Sequence, residues 1–491
     1  TKDYGVYANH AEIKRLNRKA EVSLMNAEKV SVFSEKNSSV LLKRLWQDAL
    51  FNQFHDILGG ACIKEAYSDA KNLYGRVISS ANEIVHYCLQ GITKNIKMLG
   101  KNPKDIWNLV VWNLNSESFD GYIESEVQWA HEFEWYDKGL ELRDADGKIY
   151  PCQIIDAKAV IPRFRSRFVA KINAPSFGYK AYKVVKTNRE ELTENEEAVG
   201  GFLKRFGADL FRPVCLKDDG DTWCFNVGGY GKKYYPKLKD RKIVENGIIR
   251  SVVKETYKFK SSVIYLYYYF YRNADFFDCG FKVNWNEKHY ALKLETYSEE
   301  YKHVAAVPYG SVKRGRTKTD VPIGEFLRIG GKTFLFDGIF AYNLCNKKLG
   351  LTVLRSAIYG DFRIGELNSE KEYDFLSEGL TEGKIRICIG GSNVSGFINE
   401  PKIVIESNHG GNLPYEKSYC KISESGIDVS VIKRSENGNG QTLRVVEKCG
   451  KTHKEKIDFL GKSIDVKVKP YEIKTIVIEN GRYHETNLLE K

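Results

Sequence analysis

The sequence predicts a multi-domain α + β protein, a three-helix bundle followed by large antiparallel β-sandwich domains. Over the first hundred residues apolar side chains recur three and four apart, the period of helices packed on one face. From about residue 105 to 485 they come instead in short alternating or aromatic runs broken by Gly, Asn and Asp. The switch falls near Lys101-Asn102-Pro103, and 491 residues are enough for two to four well-filled cores.

In the first helical segment Ile13, Leu16, Ala20, Leu24 and Ala27 mark the apolar face. Leu42, Trp46, Leu50 and Phe54 mark it in the second. The third is the most regular, with Ile63, Tyr67, Ala70, Tyr74, Val77, Ala81, Ile84 and Cys88. Asn37-Ser38-Ser39 and Gly59-Gly60 punctuate them, and short connections make neighbouring helices antiparallel. Beyond the switch, SSVIYLYYYFYR (261 to 272) and EIKTIVIE (472 to 479) read as strands. No repeat of 20 to 50 residues appears. EELTENEEAVGG (190 to 201) reads as a loop dividing a small first sandwich from a larger second one. The expected domains are therefore 1–102, the bundle; 103–189, a small β-sandwich; 190–400, a large one; and 401–491, a C-terminal β-domain.

A 42% hydrophobic and 29% charged composition is that of an ordinary globular protein, and no apolar run is long enough for a membrane helix. The N-terminal residues lack the apolar core of a signal peptide. Ten cysteines without a C-x-x-C pair read as reduced core residues, which favours the cytoplasm. The net charge of +12 comes from 76 basic residues dispersed among 64 acidic ones. The nearest thing to a basic aromatic patch, YGKKYYPKLKDRK (230 to 242), reads as solvated surface, so neither nucleic acid nor membrane is expected as a partner.

Chemistry is concentrated in FNQFHDILGG (51 to 60), where His55 and Asp56 stand side by side before two glycines. A polar helix end accounts for the pair, histidine suiting the negative end of the dipole, as does a binding site. Asp218, Asp219 and Asp221 surround Gly220, a pattern that reads as an Asx-capped turn before it reads as paired catalytic carboxylates. HGG at 409 to 411 has no phosphate-cradling helix after it.

LWQDALFNQFHDILGGACIKEAYSDA (45 to 70) resembles the LWxxLLxNQFHDILPGSxIxxVYxDA segment of glycoside hydrolase family 38 α-mannosidases, the cytosolic and bacterial branch. GVYANHAEIKRLNRKAE (5 to 21) is similar to that family's GTYTSQAxxKRxNRKxE, and DDGDTWCF (218 to 225) to its DxSDTWGH. NWNEKHYALKL (284 to 294), VPYGSVKRG (307 to 315), GLTVLRSAIYGD (350 to 361), EYDFLSEGLTEG (372 to 383) and VIKRSENGNGQTLRVVEKCG (431 to 450) follow in the family's order.

The resemblance implies a catalytic α/β barrel, then a three-helix bundle, then β-sandwiches that include a galactose-mutarotase-like supersandwich. It implies hydrolysis of terminal α-mannosides, or oligosaccharides bearing them, with retention. It places the family's zinc-binding His-x-Asp, nucleophilic aspartate and acid carboxylate upstream of Thr1, so no catalytic residue is expected in this chain. His55 would be a metal ligand, and Asp56 and Glu378 would contact substrate. The metal would be one divalent ion, zinc or alternatively cobalt, incompletely liganded here. The expected partner is an N-terminal catalytic domain or chain, with homo-oligomerisation left open. Departures occur at Gly59, Cys224, Phe225, Glu378 and Thr381. They support a second expectation, a non-catalytic carbohydrate-binding or structural remnant of a split or decayed mannosidase.

Overall fold

A computed structural model describes residues 4–98, 107–129, 139–155, 164–187, 196–207, 210–223, 229–359, 375–376, 379–390, 395–423 and 426–491. The bundle holds α1 (Ala11–Phe33), α2 (Ser39–Phe51), a five-residue α3 (His55–Gly59) and α4 (Lys64–Thr93). Most of the apolar faces expected of α1 and α4 are buried: Ile13, Ala20, Leu24 and Ala27 pack with Tyr67, Ala70, Tyr74, Val77, Ala81 and Cys88. Leu16 and Ile84 are half-buried, and Ile63, expected on the same face, precedes α4 and is 69% exposed.

The second segment differs from its reading in two ways. Leu42, Leu45 and Ala49 are its buried residues, whereas Leu50 and Phe54 are 55% and 52% exposed. The helix also stops at Phe51 rather than running into His55. Tertiary hydrogen bonds set both. Asn52 donates to the Ala70 carbonyl (3.2 Å), and Gln53 donates to Asn17 Oδ1 (3.1 Å) and Glu21 Oε1 (2.9 Å). Two polar side chains drawn into the bundle turn the chain, and Phe54 is extended (ψ 138°) before α3 begins. His55 therefore opens a short helix; it does not close a long one.

Most of the described remainder is antiparallel sheet. Strands between Asn108 and Thr187 form an eight-stranded sheet that Lys402–Glu406 and Glu416–Ser418 complete. A nine-stranded sheet running from Lys237–Asn246 to Gly310–Arg314 faces a six-stranded one containing Arg212–Lys217, Tyr290–Tyr297 and Lys348–Ser356. One core lies between these two, with Ile264, Leu266 and Tyr268 against Leu292, Leu294 and Leu351, as in stacked sheets. Sheets of three and four strands end the chain between Cys420 and Thr486.

The stretch read as a dividing loop is in part helix: α5 (Glu196–Phe206) buries Phe206 in the large core and stacks Phe202 on Phe270 at 5.4 Å. Its apolar residues are spaced for a helix, and that core gives them a surface to pack on. Residues 190–195 of that stretch lie outside the described residues. The nine described cysteines are free thiols, six of them buried. Among the described residues no helix is long and apolar enough to cross a membrane.

Candidate functional site

Four of the quoted motifs, far apart in sequence, meet at one end of the bundle. The centre is Arg355, fully buried at the end of the strand Lys348–Ser356. It donates to both carboxylate oxygens of Asp218 (2.7 and 3.0 Å), to the Asp221 carbonyl (3.1 Å) and to Asn9 Oδ1 (2.9 Å). Asn9 in turn donates to the Thr222 carbonyl. Gly5 lies against the guanidinium so closely that a Cβ there would stand 1.9 Å from Nη1. The Asp218–Asp221 turn carries the expected Asx bonds, Gly220 N–H to Asp218 Oδ1 (3.2 Å) and Trp223 N–H to Asp221 Oδ1 (3.0 Å). With Asp218 committed to Arg355, that stretch is an anchor and supplies no pair of catalytic acids.

The same segment reaches the bundle through His10 and Asn9. The His10 ring stacks on Tyr67 of α4 at 3.5 Å between centroids, and the Tyr359 hydroxyl meets its Nε2 at 3.2 Å. Burial, with Lys14 and Lys71 nearby, pushes the His10 pKa down to about 3, so the imidazole is neutral. Gly60, at φ 84°, closes α3 and packs on Asn9; a Cβ at Gly60 would lie 2.5 Å from the Asn9 Cβ. Lys14 bridges the two by donating to the Asn9 carbonyl (2.6 Å) and to that of Gly59 (3.5 Å).

That lock leaves His55 and Asp56 facing outward. The His55 side chain is 76% exposed and that of Asp56 33%, with Nε2 3.7 Å from Asp56 Oδ1. The Phe54 ring lies 4.3 Å from the imidazole. Around them Leu50, Phe51, Phe54 and Ile63 expose 52 to 70% of their surface, an apolar rim about a histidine and a carboxylate. Among the described residues no three His, Cys, Asp or Glu side chains converge on a metal position. The donor set therefore fits one metal ligand, the imidazole, with a carboxylate beside it. Further ligands would have to come from elsewhere.

Glu378, the other expected substrate contact, lies outside the described residues, as do Cys224 and Phe225. Thr381 is described and lies buried in the strand Leu380–Ile389. Asn9, His10, Arg355 and Tyr359 were not singled out from the sequence. They lie inside quoted motifs, but the partners in their hydrogen bonds between side chains are 137 to 349 positions away, and no local spacing reveals such pairs.

Residues 4–92 match the family model described as the alpha mannosidase middle domain, and residues 185–363 that of the glycosyl hydrolases family 38 C-terminal domain. Alpha-mannosidase G of Dictyostelium discoideum is 22% identical over an alignment of 524 residues, covering 91% of this chain and 47% of that protein. Alpha-mannosidase 2C1 of Mus musculus is 34% identical over 87 residues, 16% of this chain and 8% of that protein. Among solved structures, an alpha-mannosidase from Enterococcus faecalis V583 superposes with a TM-score of 0.75 at 14% identity, over 98% of this chain and 69% of that one. A second glycosyl hydrolase family 38 protein from Enterococcus faecalis gives 0.76 at 12% identity, over 97% and 71%. The chain thus spans about half of the curated relative that it matches throughout.

Proposed function

For a chain that belongs to glycosyl hydrolase family 38 and carries its middle and C-terminal domains, we propose the role of C-terminal part of a retaining α-mannosidase. Its active site would be completed by a barrel domain in the same gene product or a separate chain. The observation that carries this reading is the bundle end. An exposed histidine and carboxylate stand in an apolar rim, held from behind by a buried network that serves no visible purpose except rigidity.

The barrel would bring the two carboxylates of a double displacement, nucleophile and acid/base. His55 would offer Nε2 to one divalent metal, zinc before cobalt, since neutral imidazole suits both. A metal held there would supply Lewis-acid chemistry to the hydroxyls of the sugar. Asp56 would accept a hydrogen bond from a sugar hydroxyl, a charge-assisted contact of about 1.5–3 kcal/mol. Glu378, in the stretch EYDFLSEGLTEG that resembles a family motif, would be a further substrate contact. The side chains of α3 are aimed by their ends: Asn52 and Gln53 fix the start, and Gly60 against Asn9 fixes the close. Such precision is what a metal ligand demands. The free thiols support a reducing, cytosolic setting.

The purified chain alone should not hydrolyse an aryl α-mannoside, with or without added zinc or cobalt. Co-expressed with a barrel segment carrying the His-x-Asp and the two carboxylates, it should yield mannose of retained configuration. Turnover by the chain alone, unchanged in a His55→Ala variant, would contradict the proposal.

A further inference from the structure

We propose that the outward face of the nine-stranded sheet, around Tyr265 and Tyr267, binds an acidic oligosaccharide. Sugar rings would lie on the tyrosines and anionic groups would meet the surrounding lysines. From Ser262 to Phe270 the strand alternates: Ile264, Leu266, Tyr268 and Phe270 are buried in the large core, while Val263, Tyr265, Tyr267 and Tyr269 face the other way, each partly exposed. Tyr271, at the end of that stripe, is buried against Tyr122. A solvent-facing position in a strand needs no ring, yet this stripe holds three. The Lys254 ammonium lies 4.7 Å from the Tyr265 ring centre and 5.6 Å from that of Tyr267, joining charge to aromatic surface.

Cross-strand register brings more lysine to the same face. Lys282 pairs with Tyr265, Lys258 with Val263, and Lys237 with Lys258. The face's carboxylates are already engaged, Asp240 by Lys242, Glu245 by Arg250, Asp278 by Arg386 and Glu382 by Arg15 with Lys282 opposite it, so Lys237, Lys254 and Lys258 form the surplus. Opposite Tyr267 stands Gly280. A Cβ there would meet only ordinary contacts, Tyr269 at 3.5 Å and Tyr267 at 3.9 Å, so packing does not demand the glycine. The edge of the Tyr269 ring approaches the space that the glycine leaves. An apolar sugar face suits a partly exposed ring, and Thr256 beside Tyr265 offers a hydroxyl at the rim. The lysine-rich segment 230 to 242 ends in the edge strand of this face, which gives its charge a use beyond solvation.

Titrating the whole chain with a heparin-derived oligosaccharide tests this, with a neutral mannan oligosaccharide and a single-stranded DNA of equal charge alongside. Heparin should bind most tightly. Tyr265→Ala combined with Tyr267→Ala, and separately Lys254→Glu, should each weaken it at least about tenfold with an unchanged melting temperature. Lys467→Glu, on the C-terminal three-stranded sheet, should leave it within about twofold. No heparin binding, an equal loss from Lys467→Glu, or DNA binding as tight as heparin and indifferent to the tyrosines would each overturn the proposal.

Discussion

His10 stands in the left-handed region at φ 41°, a conformation a side chain adopts only under constraint, and the constraint is its stack on Tyr67. Its buried ring is held neutral, with a pKa near 3 against 6.5 when unfolded. A depressed folded value gives stability that is complete above the unfolded pKa and is lost as pH falls toward the folded one. Between pH 7 and 5 that loss should reach roughly 2 kcal/mol. His10→Gln should lessen the fall in the urea midpoint over this interval, and an unchanged fall would show that His10 titrates normally. Of the residues at this site, His55 and Asp56 were legible because they are adjacent and titratable at a break in an apolar pattern. Arg355 was not: an arginine in an apolar strand announces nothing until Asp218 and Asn9 are seen beside it.

At the scale of elements, α1 and α4 were legible because 23 and 30 residues give a 3.6 period many turns in which to show itself. The 13 residues of α2 gave too few, and its face was read through Leu50 and Phe54, which the structure leaves in solvent. The break after Phe51 depends on Asn52 and Gln53 bonding to other helices, information no local pattern contains. Strands were visible by alternation, whereas the grouping of the described ones into five sheets follows from pairings such as that of Asn108–Asn113 with Lys402–Glu406. The α3 terminus carries a prediction of its own. Gly60→Ala adds a Cβ 2.5 Å from that of Asn9 at a positive φ, and should lower stability by about 1–3 kcal/mol. A chemical-denaturation midpoint equal to that of the unchanged chain would show the Asn9 contact to be loose.

For the whole molecule, one core joins Ile13 and Tyr74 of the bundle to Trp112 and Tyr179 of the first sheet and to Ile432 and Ile476 of the last. The bundle is thus buttressed on one side by the sheets, and the end bearing His55 leaves Phe51 70% and Ile63 69% exposed. Domain contacts within a chain cover roughly 600–1,500 Å², and an apolar patch lacking such cover promotes association. Light scattering of the isolated chain should show a mass that rises with concentration, reduced by Phe51→Ser with Phe54→Ser. A clean monomer throughout would mean that the rim is not a docking surface.

The central claim is that the bundle end lends one metal ligand to a site shared with a barrel, and metal content tests it most directly. In the protein joined to its barrel, bound zinc should be measured by elemental analysis alongside aryl-mannoside turnover. His55→Ala, removing one of about four ligands, should weaken metal binding by more than the 10- to 100-fold typical of changes behind the ligands, with activity restored only in part by excess zinc. Asp56→Asn should keep its zinc and lose rate. Full zinc and full rate in both variants would contradict the claim and leave His55 and Asp56 as a polar start to a short helix.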